Sequence, residues 1–148
     1  MNIYALLIGI IVVTLVIVYF KRSYLERTQL AYPLLLASFP FYYFVFAIYG
    51  NDFDSLYKEI TVGFIFFAFS LVAIKSKRKL SAVIVGSGCI FHAIYDIYHN
   101  HLFVTLGTPS WWPEFCGSID FILGIYLFYF AATAPNKSFK KNRIKIST

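Results

Sequence analysis

Five runs of about twenty apolar residues alternate with short polar stretches along this chain, occupying about 2–20, 30–49, 56–74, 80–99 and 115–134. A helix that crosses a bilayer takes roughly 20 mostly apolar residues. The pattern therefore predicts an all-α integral membrane bundle of five transmembrane helices, in a single domain over 1–148 that leaves no chain for a soluble unit. A polar, basic tail follows over 135–148. Composition agrees: 59% apolar and 14% charged residues lie outside the soluble globular range. The opening run, NIYALLIGIIVVTLVIVYF, has no basic residue before it and no small-residue cleavage site after it, and it exceeds a signal peptide's apolar core. It is expected to be a retained helix. Neither an internal repeat nor a low-complexity segment is present.

The polar stretches differ in charge. Lys21, Arg22 and Arg27 follow the first run; Lys75, Lys77, Arg78 and Lys79 follow the third; Lys137, Lys140, Lys141, Arg143 and Lys145 follow the fifth. Of the 13 basic residues only Lys58 lies elsewhere. The positive-inside rule then predicts an N-terminus outside and a C-terminus in the cytoplasm. A net charge of +6 would suggest nucleic acid in a soluble chain; here it is a topology signal, and no nucleic-acid partner is expected. The tail KSFKKNRIK is expected to rest on anionic headgroups. On the opposite side, GNDFDSLYKE is acidic, with Asp52 and Asp54 read as solvated loop residues. HLFVTLGTPSWWPE is aromatic, with Pro109 and Pro113 limiting regular structure and Trp111 and Trp112 suited to the interfacial belt. Short loops and the lack of an organelle signal favour a bacterial inner (cytoplasmic) membrane.

Three ionisable residues interrupt the fourth run, in FHAIYDIYHN (91–100). At 100° per residue His92, Asp96 and His99 fall within about 60° of one another, so one helix face is polar. An ionisable side chain near the bilayer centre costs about 2.5 to 3.5 kcal/mol even on lenient scales, so this face looks into the bundle. At 1.5 Å per residue Glu59 and Asp120 reach a comparable depth from the same side. Gly63, Gly117 and Gly124 let the helices approach closely there. Two imidazoles and up to three carboxylates suit a divalent metal, zinc first, with manganese or iron as alternatives. His92, His99 and Asp120 are the expected metal ligands; Asp96 or Glu59 is the expected catalytic base or orienting partner. His101 and Glu114 are additional candidates that could cap the site. Tyr95 and Tyr98 read as packing or belt residues, or as donors to the site.

The two cysteines are expected to stay unlinked, because Cys89 lies roughly 15 Å below its end of the helix and Cys116 near the start of the next. Cys89 reads as a small core residue.

FAIYG (46–50), Glu59, FHAIYDIYH (91–99) and PSWWPEFCGSID (109–120) together give a chain that resembles the small multi-pass membrane proteins grouped as domain of unknown function 6010. The resemblance covers roughly 40–127 and implies a fold type and motif positions, but no activity.

Three functions compete. The first is a metal-dependent hydrolase acting on a lipid or amphiphile from the outer leaflet, with a metal-bound water of lowered pKa and the WWP loop guiding substrate. The second is a cation or proton transporter or channel component using the same residues, which in a monomer lacks a complete polar path and would need a homo-oligomer to supply one. The third is a structural or pH-sensing membrane subunit. Retinal attachment is not expected, since no lysine falls in the interior of a predicted helix.

Overall fold

The computed structural model describes residues 2–102 and 106–133; the expected basic tail over 135–148 lies outside them. The described residues form helices α1 (Ile3–Arg22), α2 (Ala31–Tyr49), α3 (Phe53–Lys75), α4 (Arg78–Leu102) and α5 (Trp112–Thr133), with a single 3-10 turn over Leu25–Arg27. All five helices are long and apolar enough to cross a membrane, and no strand occurs among the described residues. The expected all-α membrane bundle is therefore the observed fold.

α3 and α5 each begin three residues earlier than hydropathy predicts, because residues near their starts suit a helix N-terminus. α3 starts at Phe53 since Asp52 caps it: its carboxylate accepts from the Ser55 N–H at 3.0 Å and the Ser55 hydroxyl at 2.7 Å. That occupies one of the backbone donors left over in a first turn. Asp52 is thus a helix cap, and not only a solvated loop residue. α5 starts at Trp112, so Pro113 stands inside its first turn, where the missing N–H has no bond to make. Pro113 therefore begins a helix; the expectation that it limits regular structure is corrected.

The bundle has an aromatic end, carrying the α2–α3 and α4–α5 connections, and a basic end, carrying Lys21, Arg22, Lys75 and Arg78. α4 is the hub: it packs on α5 most extensively and also on α3 and α2, whereas α1 joins through α5 and the 3-10 turn. The α4–α5 seam is close because glycines line it. A Cβ at Gly124 would lie 2.8 Å from the Ile90 side chain and 3.0 Å from the Gly86 carbonyl oxygen. At the aromatic end a Cβ at Gly50 would meet the Gly107 nitrogen at 2.6 Å, so the two connections touch backbone to backbone.

Toward the basic end Leu36, Val85, Leu123 and Leu127 are fully buried and pack with Phe66 and Ala73 in a dry core. There Glu26, in the 3-10 turn, accepts hydrogen bonds from Tyr126 and Tyr32, fastening the α1–α2 connection to α5. A smaller cluster of Tyr43, Trp112 and Cys116 closes the aromatic end. Between the two apolar zones lies a layer of ionisable side chains.

Candidate metal centre

Helix periodicity places His92 and Asp96 one turn apart on α4, and Cys116 and Asp120 one turn apart on α5. The close α4–α5 seam turns these two pairs toward each other. Gly117 lies where they meet, and a Cβ there would stand in ordinary contact with the Asp96 Cβ at 3.6 Å. Residue exposures are 1% for His92, 0% for Asp96, 5% for Cys116 and 0% for Asp120. One ligand atom from each residue lies within 4.8 Å of all the others.

His92 Nδ1 is 2.6 Å from Asp120 Oδ2, a hydrogen bond from imidazole N–H to carboxylate, and 3.5 Å from Asp96 Oδ2. The Cys116 thiol points at Asp120 Oδ2 across 3.9 Å. With metal–ligand bonds of about 2.0–2.3 Å, the donors of a tetrahedral site stand roughly 3.3–3.8 Å apart. The 3.5 and 3.9 Å separations are already close to that; the His92–Asp120 hydrogen bond would open to admit an ion.

Two carboxylate oxygens in this group, Asp96 Oδ2 and Asp120 Oδ1, are buried with no hydrogen-bond partner among the described residues. Buried polar atoms are nearly always satisfied, and leaving one bare costs about 1–3 kcal/mol, more when charged. Two carboxylates against one imidazole also leave the group short of positive charge. A divalent cation would meet both deficits, and the residues fit one.

The remaining predicted residues form a second unit. His99 Nε2 is 2.6 Å from Glu59 Oε1, and the Tyr95 hydroxyl donates to Glu59 Oε2 at 2.5 Å, pinning α3 to α4. Tyr43 of α2 bridges the units: its hydroxyl donates to Asp96 Oδ1 at 2.7 Å, and its ring stacks on His99 with centroids 4.2 Å apart. The five ionisable residues read from the sequence do share one buried layer, with Glu59 2% exposed and His99 fully buried. Three of them, His92, Asp96 and Asp120, belong to the group whose ligand atoms converge. His99 lies seven residues from His92, about 10 Å along the helix, and is paired with Glu59 instead.

Glu114 stands at the start of α5, where Oε1 accepts from the Asn2 backbone N–H at 3.1 Å; His101 is exposed. Neither belongs to the group of four. Tyr95 is a hydrogen-bond donor in the layer, and Tyr98 is 56% exposed on the outer surface of α4. Both cysteines are free, and Cys89 packs in the dry core, as expected. Cys116 and Tyr43 are the participants that sequence reasoning missed. Cys116 had a signal: its spacing of four from Asp120 repeats that of His92 and Asp96. Tyr43 had none, sitting in an aromatic run where each residue looks alike.

These features define a five-helix integral membrane protein with a buried His/Asp/Cys group that could hold a metal ion. No family model matches the chain, and neither does any curated protein or any solved structure.

Proposed function

We propose that this protein is an integral membrane subunit whose bundle is closed by a divalent cation, held between α4 and α5 by His92, Asp96, Cys116 and Asp120. The observation that carries this reading is the convergence of four donors within 4.8 Å of one another, two of them with a buried carboxylate oxygen that has no hydrogen-bond partner among the described residues. A bound cation supplies charge neutralisation and a cross-link. The chain's own residues do the rest: Tyr43 holds Asp96 in orientation through its other oxygen, and the Glu59–His99 pair fixes α3 against α4. Two of the stretches behind the resemblance to the domain of unknown function 6010 family, 91–99 and 109–120, contribute all four donors. By the charge rule the aromatic end faces outside, in a bacterial inner membrane.

The arrangement favours a retained cation over the other two functions. A hydrolytic metal keeps a position for water or substrate, whereas four protein donors fill a tetrahedral ion. Trp112 and Tyr43, 8% and 1% exposed, pack over the group from the aromatic end. A transport path would have to cross the dry core, where Leu36, Val85, Leu123 and Leu127 are each 0% exposed.

Elemental analysis of the full-length protein purified in detergent tests the proposal, alongside His92→Ala and with melting measured in chelator. About one equivalent of metal is expected in the wild type and none in the variant, with a lower melting temperature once metal is removed. A monodisperse wild type that takes up no metal, and melts identically with and without chelator, would sink it. Metal-dependent cleavage of a phospholipid or lysolipid by the same preparation would reinstate the hydrolase.

A further inference from the structure

Among the four donors, Cys116 differs in kind. Imidazole and carboxylate bind a wide range of divalent ions, but a thiolate is a soft ligand, matched to zinc, cobalt, ferrous iron or copper and poorly matched to magnesium, calcium or manganese. Its placement is specific. Cys116 is 5% exposed, lies one turn above Asp120 with Sγ directed at that carboxylate across 3.9 Å, and is covered by Trp112 in the cluster that seals the aromatic end. A cysteine serving only as a small core residue has no need to face two carboxylates. Here Asp96 and Asp120 each keep a buried oxygen with no hydrogen-bond partner among the described residues and stand in the same group of four as Cys116, an arrangement that a cation bridging thiolate and carboxylates would resolve.

We infer that Cys116 ligates the ion as a thiolate and is the residue that restricts this site to thiophilic transition metals. The inference rests on the metal-binding reading above and extends it to the class of metal. As the Sγ–metal bond forms, the S–H bond breaks and its proton leaves to solvent, so the electron pair of the new bond comes from sulfur. Without Cys116 the remaining His92, Asp96 and Asp120 are a nitrogen–oxygen set with no soft donor. Such a set accepts manganese with much less discrimination.

The chain has only two cysteines, which makes the assignment a matter of elimination. The full-length protein in detergent is loaded with cobalt(II) and its near-ultraviolet spectrum recorded, beside Cys89→Ser and Cys116→Ser. Expected are about one bound cobalt and a thiolate-to-cobalt charge-transfer band, present in wild type and Cys89→Ser and absent from Cys116→Ser. Zinc should displace the cobalt, while a hundredfold excess of magnesium or manganese should not. If Cys116→Ser does not fold, the Cys89→Ser spectrum alone decides, because Cys116 is then the sole thiol. Cobalt bound without the band, or a band lost in Cys89→Ser, overturns the assignment and leaves the metal site standing. A folded wild type that binds no cobalt and no zinc overturns the metal site itself, and this inference with it.

Discussion

The two ends of this bundle are built from the same five helices and hold together by opposite means. Toward the basic end the helices pack mainly through apolar and small residues, with the Glu26 hydrogen bonds at the rim: Leu36, Val85, Leu123 and Leu127 are fully buried, and Gly86 and Gly124 bring two backbones together. Toward the aromatic end the helices meet through Glu59, His92, Asp96, His99 and Asp120, all 2% exposed or less. Lipid is as apolar as leucine, so the first kind of packing draws on shape and van der Waals contact more than on escape from water. The second costs desolvation and recovers it only if each polar atom finds its partner. Stability at the basic end is therefore spread over many small contacts, while at the aromatic end it is concentrated in a few bonds.

That contrast is broken most directly at Asp120. Asp120→Ala removes the 2.6 Å partner of His92 and leaves only the longer 3.5 Å contact to Asp96, and breaking a buried pair costs about 3–5 kcal/mol. Unfolding in detergent should register a loss of that size together with loss of bound metal. A variant as stable as wild type would mean that the polar layer contributes no more than ordinary packing.

At the other end the matching change is Gly124→Val. The added side chain meets Ile90 and, at 3.0 Å from the first atom added, the Gly86 carbonyl, which is backbone and cannot rotate away. Overpacking of this kind costs about 1–3 kcal/mol. The melting temperature should fall while the metal content stays near wild type. Loss of metal as large as in Asp120→Ala would show instead that the two ends are one cooperative unit.

The smallest effect is expected at the solvent boundary, in Asp52→Ala, which removes the α3 cap. Hydrogen bonds from the Ser55 N–H and hydroxyl hold the Asp52 carboxyl below its ordinary pKa. A depressed carboxyl stabilises the fold above its unfolded pKa and loses that contribution as pH falls through its folded value. Melting curves across pH should thus show wild type and variant separated near neutrality and converging in acid. A gap that persists unchanged below that range would mean that Asp52 acts through packing and not through its charge.

Much of this was legible along the chain, for reasons visible in particular residues. Five apolar runs could only be five helices, because in lipid a backbone must satisfy its own hydrogen bonds. His92, Asp96 and Asp120 could be assigned to the interior because lipid does not accept them. The helix starts were missed by three residues at α3 and α5, since Asp52 and Pro113 read as loop residues by polarity and as helix-starting residues by geometry. Cys116 was weighed only as a disulfide partner for Cys89, because its approach to Asp96 and Asp120 depends on how α4 and α5 pack. His99 was grouped with His92 because both lie on one face of α4, whereas its pairing with Glu59 depends on where α3 sits.

The sequence by itself determined the membrane class, the number of helices and their approximate positions, the difference in charge between the two ends, and which ionisable residues are buried. Each of those follows from the cost of placing a given side chain in hydrocarbon or in water, a property of the residue and its neighbours along the chain. Only the tertiary structure decided that His92 and Asp96 face Cys116 and Asp120 while His99 faces Glu59. Partnership across helices depends on their rotation and relative height to within an ångström or two, and here those are set by contacts such as Gly86 against Gly124 and Gly117 against Asp96. No local pattern encodes that alignment, because it is a property of two surfaces brought together.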